Sequence, residues 1–216
     1  MKRKALLCAI LALTLLFSGQ PASALTSNQR ETVIQATARV PVISVTVPAS
    51  VDIMINPFRM PVQIGGEESD AQIVCSPAYI LSTSDIPLKV DITVTGSVYA
   101  NSDLTLVSAP TNGAGSSKNA FVYFEMQQTS VDDWEYVRWD PVFDAAKHIN
   151  VTTTAQTKRA MVTLPPLTLD GELPENAYAW FRLAGDAARA PTNEWSTNDG
   201  INVTVAFTFT PVSYVQ

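Results

Sequence analysis

Strict alternation of apolar and polar residues marks two segments of the chain as β-strands. Between Leu88 and Thr95 every second residue is aliphatic, and from Ile201 to Thr210 Ile, Val and Phe alternate with Asn, Thr and Ala. A weaker alternation covers 43–47 and 51–55. A period of two is typical of antiparallel strands with one face on a core and one face in water. We therefore expect one shared core that contains Leu88, Val90, Ile92, Val94, Val203, Val205, Phe207 and Phe209.

Three further runs are apolar on both faces and predict central or interface-lining strands. They are Ala120–Met126, Ala160–Leu164 and Ala177–Leu183. Clusters of Pro, Gly, Asn and Asp separate the runs, residues 109–119 predict one long flexible loop, and only 140–148 could supply a turn or two of helix. The spacing predicts an all-β fold, an antiparallel two-sheet β-sandwich of about ten strands, Ig-like or jelly-roll-like.

The N-terminus has the three parts of a secretory signal peptide. Lys2, Arg3 and Lys4 precede the apolar run 5–17, and a small-x-small site follows at Ala22–Ser23–Ala24. The apolar run is too short to span a bilayer. We expect a signal peptide over 1–24, a mature chain that begins at Leu25 and has no membrane span, and secretion to the exterior or the cell surface.

The mature chain is predicted to hold one domain preceded by a short arm. The single β-sandwich domain covers 41–216, and residues 25–40 form an N-terminal arm or first strand. The arm begins polar and turns strand-like from Thr32, before Pro41 interrupts it. It is either an ordinary first strand with a frayed start, or a segment that pairs with an exposed sheet edge.

Composition and charge exclude several classes of protein. With 46% hydrophobic and 16% charged positions among 216 residues, the chain is neither disordered nor clearly multidomain. The net charge is −6, and the three basic residues of the signal peptide leave with it, so a nucleic-acid binder is excluded. Cys8 also leaves, so Cys75 remains as a single cysteine. An exported domain without an internal disulfide suits a Gram-positive exterior.

The turn and strand signals resemble those of small secreted cell-surface β-sandwich proteins of Gram-positive, Firmicutes-type bacteria. The segments that carry this resemblance are Val45–Pro48, Val51–Pro57, Gln72–Pro77, Ser84–Val90, Trp180–Gly185, Trp195 and Val203–Pro211. The last three are also loosely similar to the WxL cell-surface proteins, although this chain has Trp180-x-x-Leu183 and no Trp-x-Leu. The resemblance implies an extracellular or surface β-sandwich with a non-enzymatic role.

No catalytic residue, cofactor or metal site is predicted. His148 is the only histidine and no Gly-x-Ser-x-Gly is present, so we expect a surface or capping histidine. Cys75 lies in an apolar run and is expected in the core, with an intermolecular disulfide as the alternative. It is 73 positions from His148, which gives no zinc-ligand spacing. Glu125 and Glu135 would suit glycoside hydrolysis only if adjacent strands brought them face to face. A second group of acidic residues has no calcium-loop motif, so we expect these side chains to be solvated: Asp132, Asp133, Asp140 and Asp144.

The aromatic residues are the best candidates for binding. On a strand over 134–139, Trp134, Tyr136 and Arg138 would share one face and Trp139 the other, so at least one tryptophan would be exposed. The candidate binding surface is Trp134, Tyr136, Arg138 and Trp195. The alternative is that most of the four tryptophans, with Tyr123, fill the sandwich core.

These observations favour a non-enzymatic secreted surface or extracellular-matrix protein that acts through protein contacts, in adhesion or assembly. The expected partners are surface proteins or further copies of the chain, with cell-wall or another polysaccharide as the second option. The alternative function is a carbohydrate-binding module, and an enzyme ranks third. Exposed tryptophans along a groove would favour sugar, whereas a long uncovered edge strand would favour assembly.

Overall fold

The computed structural model describes residues 41–64, 66–111, 117–188, 195–196 and 198–212. All of them belong to one compact unit, Val40–Gln216. The predicted signal peptide, 1–24, and the predicted arm, 25–40, lie outside the described residues. Among the described residues, no helix has the length and hydropathy needed to cross a bilayer.

The described chain is built from thirteen strands and one short 3₁₀ turn, Trp134–Tyr136. The strands are β1 Val45–Thr46, β2 Ile53–Ile55, β3 Val62–Ile64, β4 Glu67–Ser69, β5 Ile73–Cys75, β6 Ala78–Ser82, β7 Leu88–Val98, β8 Thr105–Leu106, β9 Asn119–Thr129, β10 Ile149–Asn150, β11 Gln156–Leu164, β12 Tyr178–Ala187 and β13 Ile201–Pro211. The number exceeds the predicted ten because seven of the strands are only two or three residues long.

Two sheets make up most of the fold. The large sheet has the order β1-β6-β12-β9-β10, with β8 also pairing β9, and the small sheet has the order β11-β7-β13. Two minor ladders, β2 with β5 and β3 with β4, do not pair with either sheet, although β5 contacts β12. Every pairing is antiparallel except β8 with β9. The predicted fold class, an antiparallel all-β sandwich, is confirmed.

The main core lies between the two sheets. β7 is the central strand of the small sheet, and its predicted inward residues Leu88 and Val90 have no exposed surface. From β13, the Phe207 ring reaches Phe181 and Phe124 of the large sheet, with ring centroids 5.4 and 6.4 Å apart. The two predicted alternating strands therefore share one core, as expected. The inward residues of β13 are only half-buried after Ile201, because β13 is an edge strand.

The outer face of the large sheet carries a second apolar layer. Phe121 and Tyr123 of β9 point away from the main core and pack on Phe143, at 5.1 and 5.2 Å between ring centroids. The connection from β9 to β10 covers this face, and β9 is buried on both sides, as its sequence predicted. Within that connection, 140–148 forms a hydrogen-bonded turn at Asp144 and no helix.

The prediction for 160–164 is wrong, because β11 is an edge strand of the small sheet and only Leu164 is buried. A register shift between Lys158 and Val162 marks a β-bulge. At the bulge Ala160 has φ 49°, and its amide donates to Asp91 Oδ1 at 2.7 Å. The bulge bends this edge and interrupts its ladder.

A buried carboxylate fixes the turn that leads into β13. Asp199, whose side chain is 2% exposed, accepts hydrogen bonds from Ser102 Oγ, Lys118 Nζ and Ser196 N at 2.8, 3.0 and 2.7 Å. Burial alone would raise the pKa of Asp199, but these bonds outweigh it and lower the pKa below its ordinary value. The start of β13 is thus tied to two other connections of the sandwich.

Candidate functional site

The predicted aromatic strand over 134–139 is not present. Trp134–Tyr136 forms a 3₁₀ turn, in which the Asp133 carboxylate accepts a hydrogen bond from Glu135 N at 3.0 Å. An aspartate that caps its own downstream amide competes with strand pairing, and two consecutive aspartates precede this turn. Tyr136 is 72% exposed and Arg138 is exposed, whereas Trp134 is half-buried.

None of the four tryptophans is exposed. Trp180 is buried and its indole N–H donates to Val131 O at 3.1 Å, while Trp139 lies 4.7 Å beneath the Arg182 guanidinium. Trp195 packs against the main core. The four predicted binding residues therefore do not form one platform, and a row of tryptophans for stacking on sugars is absent from the described chain.

A buried polar cluster lies on the outer face of the large sheet. The Glu125 side chain of β9 is completely buried, and Arg182 Nε of β12 donates to its Oε1 at 2.5 Å. The His148 ring stacks on Tyr123 with centroids 5.0 Å apart. Its Nε2 lies 3.7 Å from Glu125 Oε2 and 3.5 Å from Asp140 Oδ2, beyond hydrogen-bond distance. Among the described residues both Nε2 and Glu125 Oε2 lack a hydrogen-bond partner.

His148 is buried, so the expectation of a surface histidine is wrong, although the capping contact is present. Its Nδ1 accepts the Asp144 amide at 2.9 Å, and this places the proton of the neutral ring on Nε2. That nitrogen then has no lone pair for a metal ion or for a proton from a nucleophile. We assign His148 and Glu125 to the attachment of the 140–148 segment. The sequence signal for this cluster was Glu125, a charge inside an apolar run.

The fold does not bring together the other residues considered for catalysis or metal binding. Glu135 is exposed in the 3₁₀ turn and does not lie on a strand beside Glu125. Within the described chain, no three His, Cys, Asp or Glu side chains are grouped closely enough to hold a metal ion. Cys75 packs half-buried against the core, and burial raises the pKa of its thiol to about 11, so the unreactive protonated form dominates at neutral pH.

The most distinctive surface is the free edge of β13. Its eleven residues pair with β7 in one unbroken register, and no other described strand pairs with it. Tyr99 N donates to Gly200 O at 3.0 Å and Val212 N to Pro87 O at 2.9 Å, so the bonds to β7 fall on even-numbered residues. Because the bonds of an antiparallel strand alternate sides, the N–H and C=O groups of the odd-numbered residues point away from β7.

A groove lined by both apolar and polar residues runs beside this edge. It is lined by the inward side chains of Val203, Val205 and Phe207, by Phe181 and Leu183 of β12, and by residues 48–53. Its volume is about 370 Å³.

A second cleft, of about 540 Å³, continues the groove and shares Ile53, Tyr99 and Ile201 with it. Trp195 lines this second cleft, next to the exposed side chains of Met54 and Phe58. The groove and cleft, called the β13 groove below, contain one of the four predicted binding residues. Periodicity alone could not reveal this surface, because it depends on which strands are neighbours.

The edges of the sheets differ in how they are protected. β11 carries the bulge and two cations, Lys158 and Arg159, which are features that discourage strand pairing. β1 and β10 are two residues long. β13 has no bulge, no charged side chain and no proline before Pro211. It is the long, regular and uncharged edge of the described sandwich.

Comparison of the chain with protein-family models, with curated proteins and with solved structures finds no match. The assignment of function therefore depends on the geometry of the chain itself.

Proposed function

We propose that the protein is a non-enzymatic, secreted surface or extracellular-matrix protein that acts by assembling with protein partners through β-strand addition to the edge of β13. The secreted location follows from the signal-peptide pattern over 1–24 and from the resemblance to Gram-positive surface proteins. The resemblance also supports the non-enzymatic role.

The free edge of β13 is the observation that carries this proposal. An incoming strand would satisfy the outward N–H and C=O groups of the odd-numbered residues from 201 to 209. Main-chain hydrogen bonds of this kind supply affinity, and alternate side chains that enter the neighbouring groove supply register. Long, flat and apolar edges are avoided in monomeric proteins because they pair with other chains.

The polar cluster around Glu125 does not compete as a functional site. Its histidine presents a proton donor between two carboxylates, whereas activation of a nucleophile requires a proton acceptor. Tyr123 stacks on the ring, and Arg182, which donates to the carboxylate, lies over Trp139. The arrangement holds a covering segment in place.

Proline substitution on β13 tests the proposal. In Val205→Pro the lost N–H points away from β7, so the sandwich ladder stays intact while strand addition is blocked. The matched control, Thr204→Pro, removes an amide that bonds to β7 and is expected to lower the melting temperature sharply.

Light scattering after size-exclusion chromatography gives the readout. We expect concentration-dependent assemblies of the secreted wild type and a folded monomer for Val205→Pro. Val203→Lys, which places a charge in the β13 groove, is a second variant with the same expected result. If both variants are folded and still assemble to the same extent as the wild type, the proposal that assembly uses this edge is refuted.

A further inference from the structure

We propose that the strand added to β13 is residues 32–40 of a second copy of this chain. This inference rests on the proposed function and names its partner. Within 32–40 the apolar residues Ile34, Ala36, Ala38 and Val40 alternate with Val33, Gln35, Thr37 and Arg39. A strand with this pattern has one apolar face for a groove and one largely polar face for solvent.

The segment matches the β13 groove in length and in bulk. Nine residues in extended form span about 30 Å, and the outward backbone groups of β13 also extend over nine residues, 201–209. Ala36 and Ala38 are small, and they would fall at the middle of the edge. There Val203, Val205 and Phe207 already occupy part of the groove.

Charge favours the same occupant. Residues 25–40 contain two arginines and one glutamate, whereas 41–216 contain nine basic and 19 acidic residues. Asp52 in the groove and Asp199 in the adjoining cleft are the charged residues among the described residues that line the β13 groove. A weakly basic strand is therefore attracted to an acidic domain, most strongly at low ionic strength.

The position at which the chain enters the sandwich indicates a second copy. Asp85 N donates to Val42 O at 3.0 Å, and two residues further Pro87 O accepts from Val212 N. The chain thus enters beside the end of β13 at Val212. An antiparallel strand from the same molecule would leave Val40 at the far end of β13, roughly 30 Å from Val42, a distance that two residues cannot span.

Within one molecule, residues 32–40 could therefore pair with β13 only as a parallel strand. A parallel ladder is slightly weaker per residue than an antiparallel one. A second copy can supply the antiparallel strand. Because the donor segment and the β13 groove are different surfaces, the contact is heterologous and repeats from copy to copy. The expected product is an open chain of subunits.

Two variants test the inference, and each lacks one of the two surfaces of the proposed contact. Both are made as the full chain and purified after secretion. Ala36→Pro/Ala38→Pro disables the donor segment and keeps the edge, whereas Val205→Pro disables the edge and keeps the donor. Each variant alone is expected to be a monomer at concentrations where the wild type forms chains. Their equimolar mixture is expected to form a heterodimer that grows no further. Thr37→Ser is the matched donor control and should assemble like the wild type.

The contrary outcomes separate the two proposals. Assembly that is lost in Val205→Pro but retained in the donor variant would overturn this inference and leave strand addition by another segment. Assembly that both variants retain would overturn the proposed function as well, and so would a wild type that stays monomeric at high concentration.

Disulfide trapping identifies the molecule that supplies the strand. In a Cys75→Ser background, Ala206→Cys is combined in turn with cysteine at Gln35, Thr37 or Arg39, all on the predicted solvent face. Oxidation should give a ladder of covalent multimers for at least one pair, and none when Thr157→Cys on β11 replaces Ala206→Cys. A crosslink formed only within monomers would overturn the inference.

Discussion

Truncation of two phenylalanines that meet across the main core should have clearly unequal costs. Phe124 is completely buried and stacks on Phe181 at 5.4 Å, so Phe124→Ala leaves a closed cavity and should cost about 3–5 kcal/mol. Phe207 contacts the rings of Phe124 and Phe181 but is half-buried and lines the β13 groove. The space vacated by Phe207→Ala opens into that groove, so the cavity penalty is largely absent. Phe207→Ala should therefore lower the free energy of unfolding by about half as much as Phe124→Ala, roughly 2 kcal/mol.

Urea unfolding followed by tryptophan fluorescence measures both values, and the slope of the transition shows whether the denatured state has changed. For a domain of this size, a loss of 2 kcal/mol corresponds to a fall in melting temperature of about 4–8 °C. Thr208→Ala, on the solvent face of β13, is the matched control and should change stability little. Equal costs for Phe124→Ala and Phe207→Ala would refute the open groove beside β13. An unchanged midpoint for Phe207→Ala would refute the sandwich assignment of this strand.

Three further predictions concern single ionisable groups. The lowered pKa of Asp199 means that its stabilising contribution is complete above its ordinary pKa of about 3.9 and is lost as pH falls through the lowered value; Asp199→Asn should remove this part of the acid dependence in melts from pH 6 to 2. Cys75, whose thiol pKa is raised to about 11, should react slowly with a thiol reagent at pH 8 and rapidly in denaturant, and equal rates would contradict its packing. Arg182→Met should lower the free energy of unfolding in denaturant by about 2–3 kcal/mol. This loss is below the range for a fully buried ion pair because Arg182 is 30% exposed. The additional substitution Glu125→Gln should restore part of the lost stability.

Period-two patterns predicted the strands that face one core, because alternate burial is a local consequence of strand geometry. Leu88–Val98 and Ile201–Pro211 follow the pattern throughout. The pattern failed at 134–138, where an aspartate-capped turn replaced the strand. It also failed at 160–164, where apolar residues lie on a bulged edge. At 134–136 a local hydrogen bond to Asp133 overrides the periodicity, whereas at the bulge the Ala160 amide makes a long-range hydrogen bond to Asp91 of β7.

Features that depend on long-range pairing could not be predicted from the sequence. The burial of His148 arises because the β9–β10 connection folds over the outer face of the large sheet, and no local pattern signals such a cover. The free edge of β13 is likewise a property of sheet order, since its sequence alternates in the same way as that of β7, which is paired on both sides. The aromatic character of Trp195 alone makes it a binding candidate in the sequence, and its place in the β13 groove depends on strand neighbours.

Residue-resolved hydrogen exchange on β13 tests the central claim most directly. In the monomer, amides of even-numbered residues such as Thr204 and Thr208 bond to β7 and should exchange slowly, whereas those of Val203, Val205 and Phe207 point to the open edge and should exchange rapidly. In the assembled protein the odd-numbered amides should become protected as well. Uniform protection across β13 in the monomer, or odd-numbered amides that remain unprotected in the assembly, would contradict strand addition at this edge.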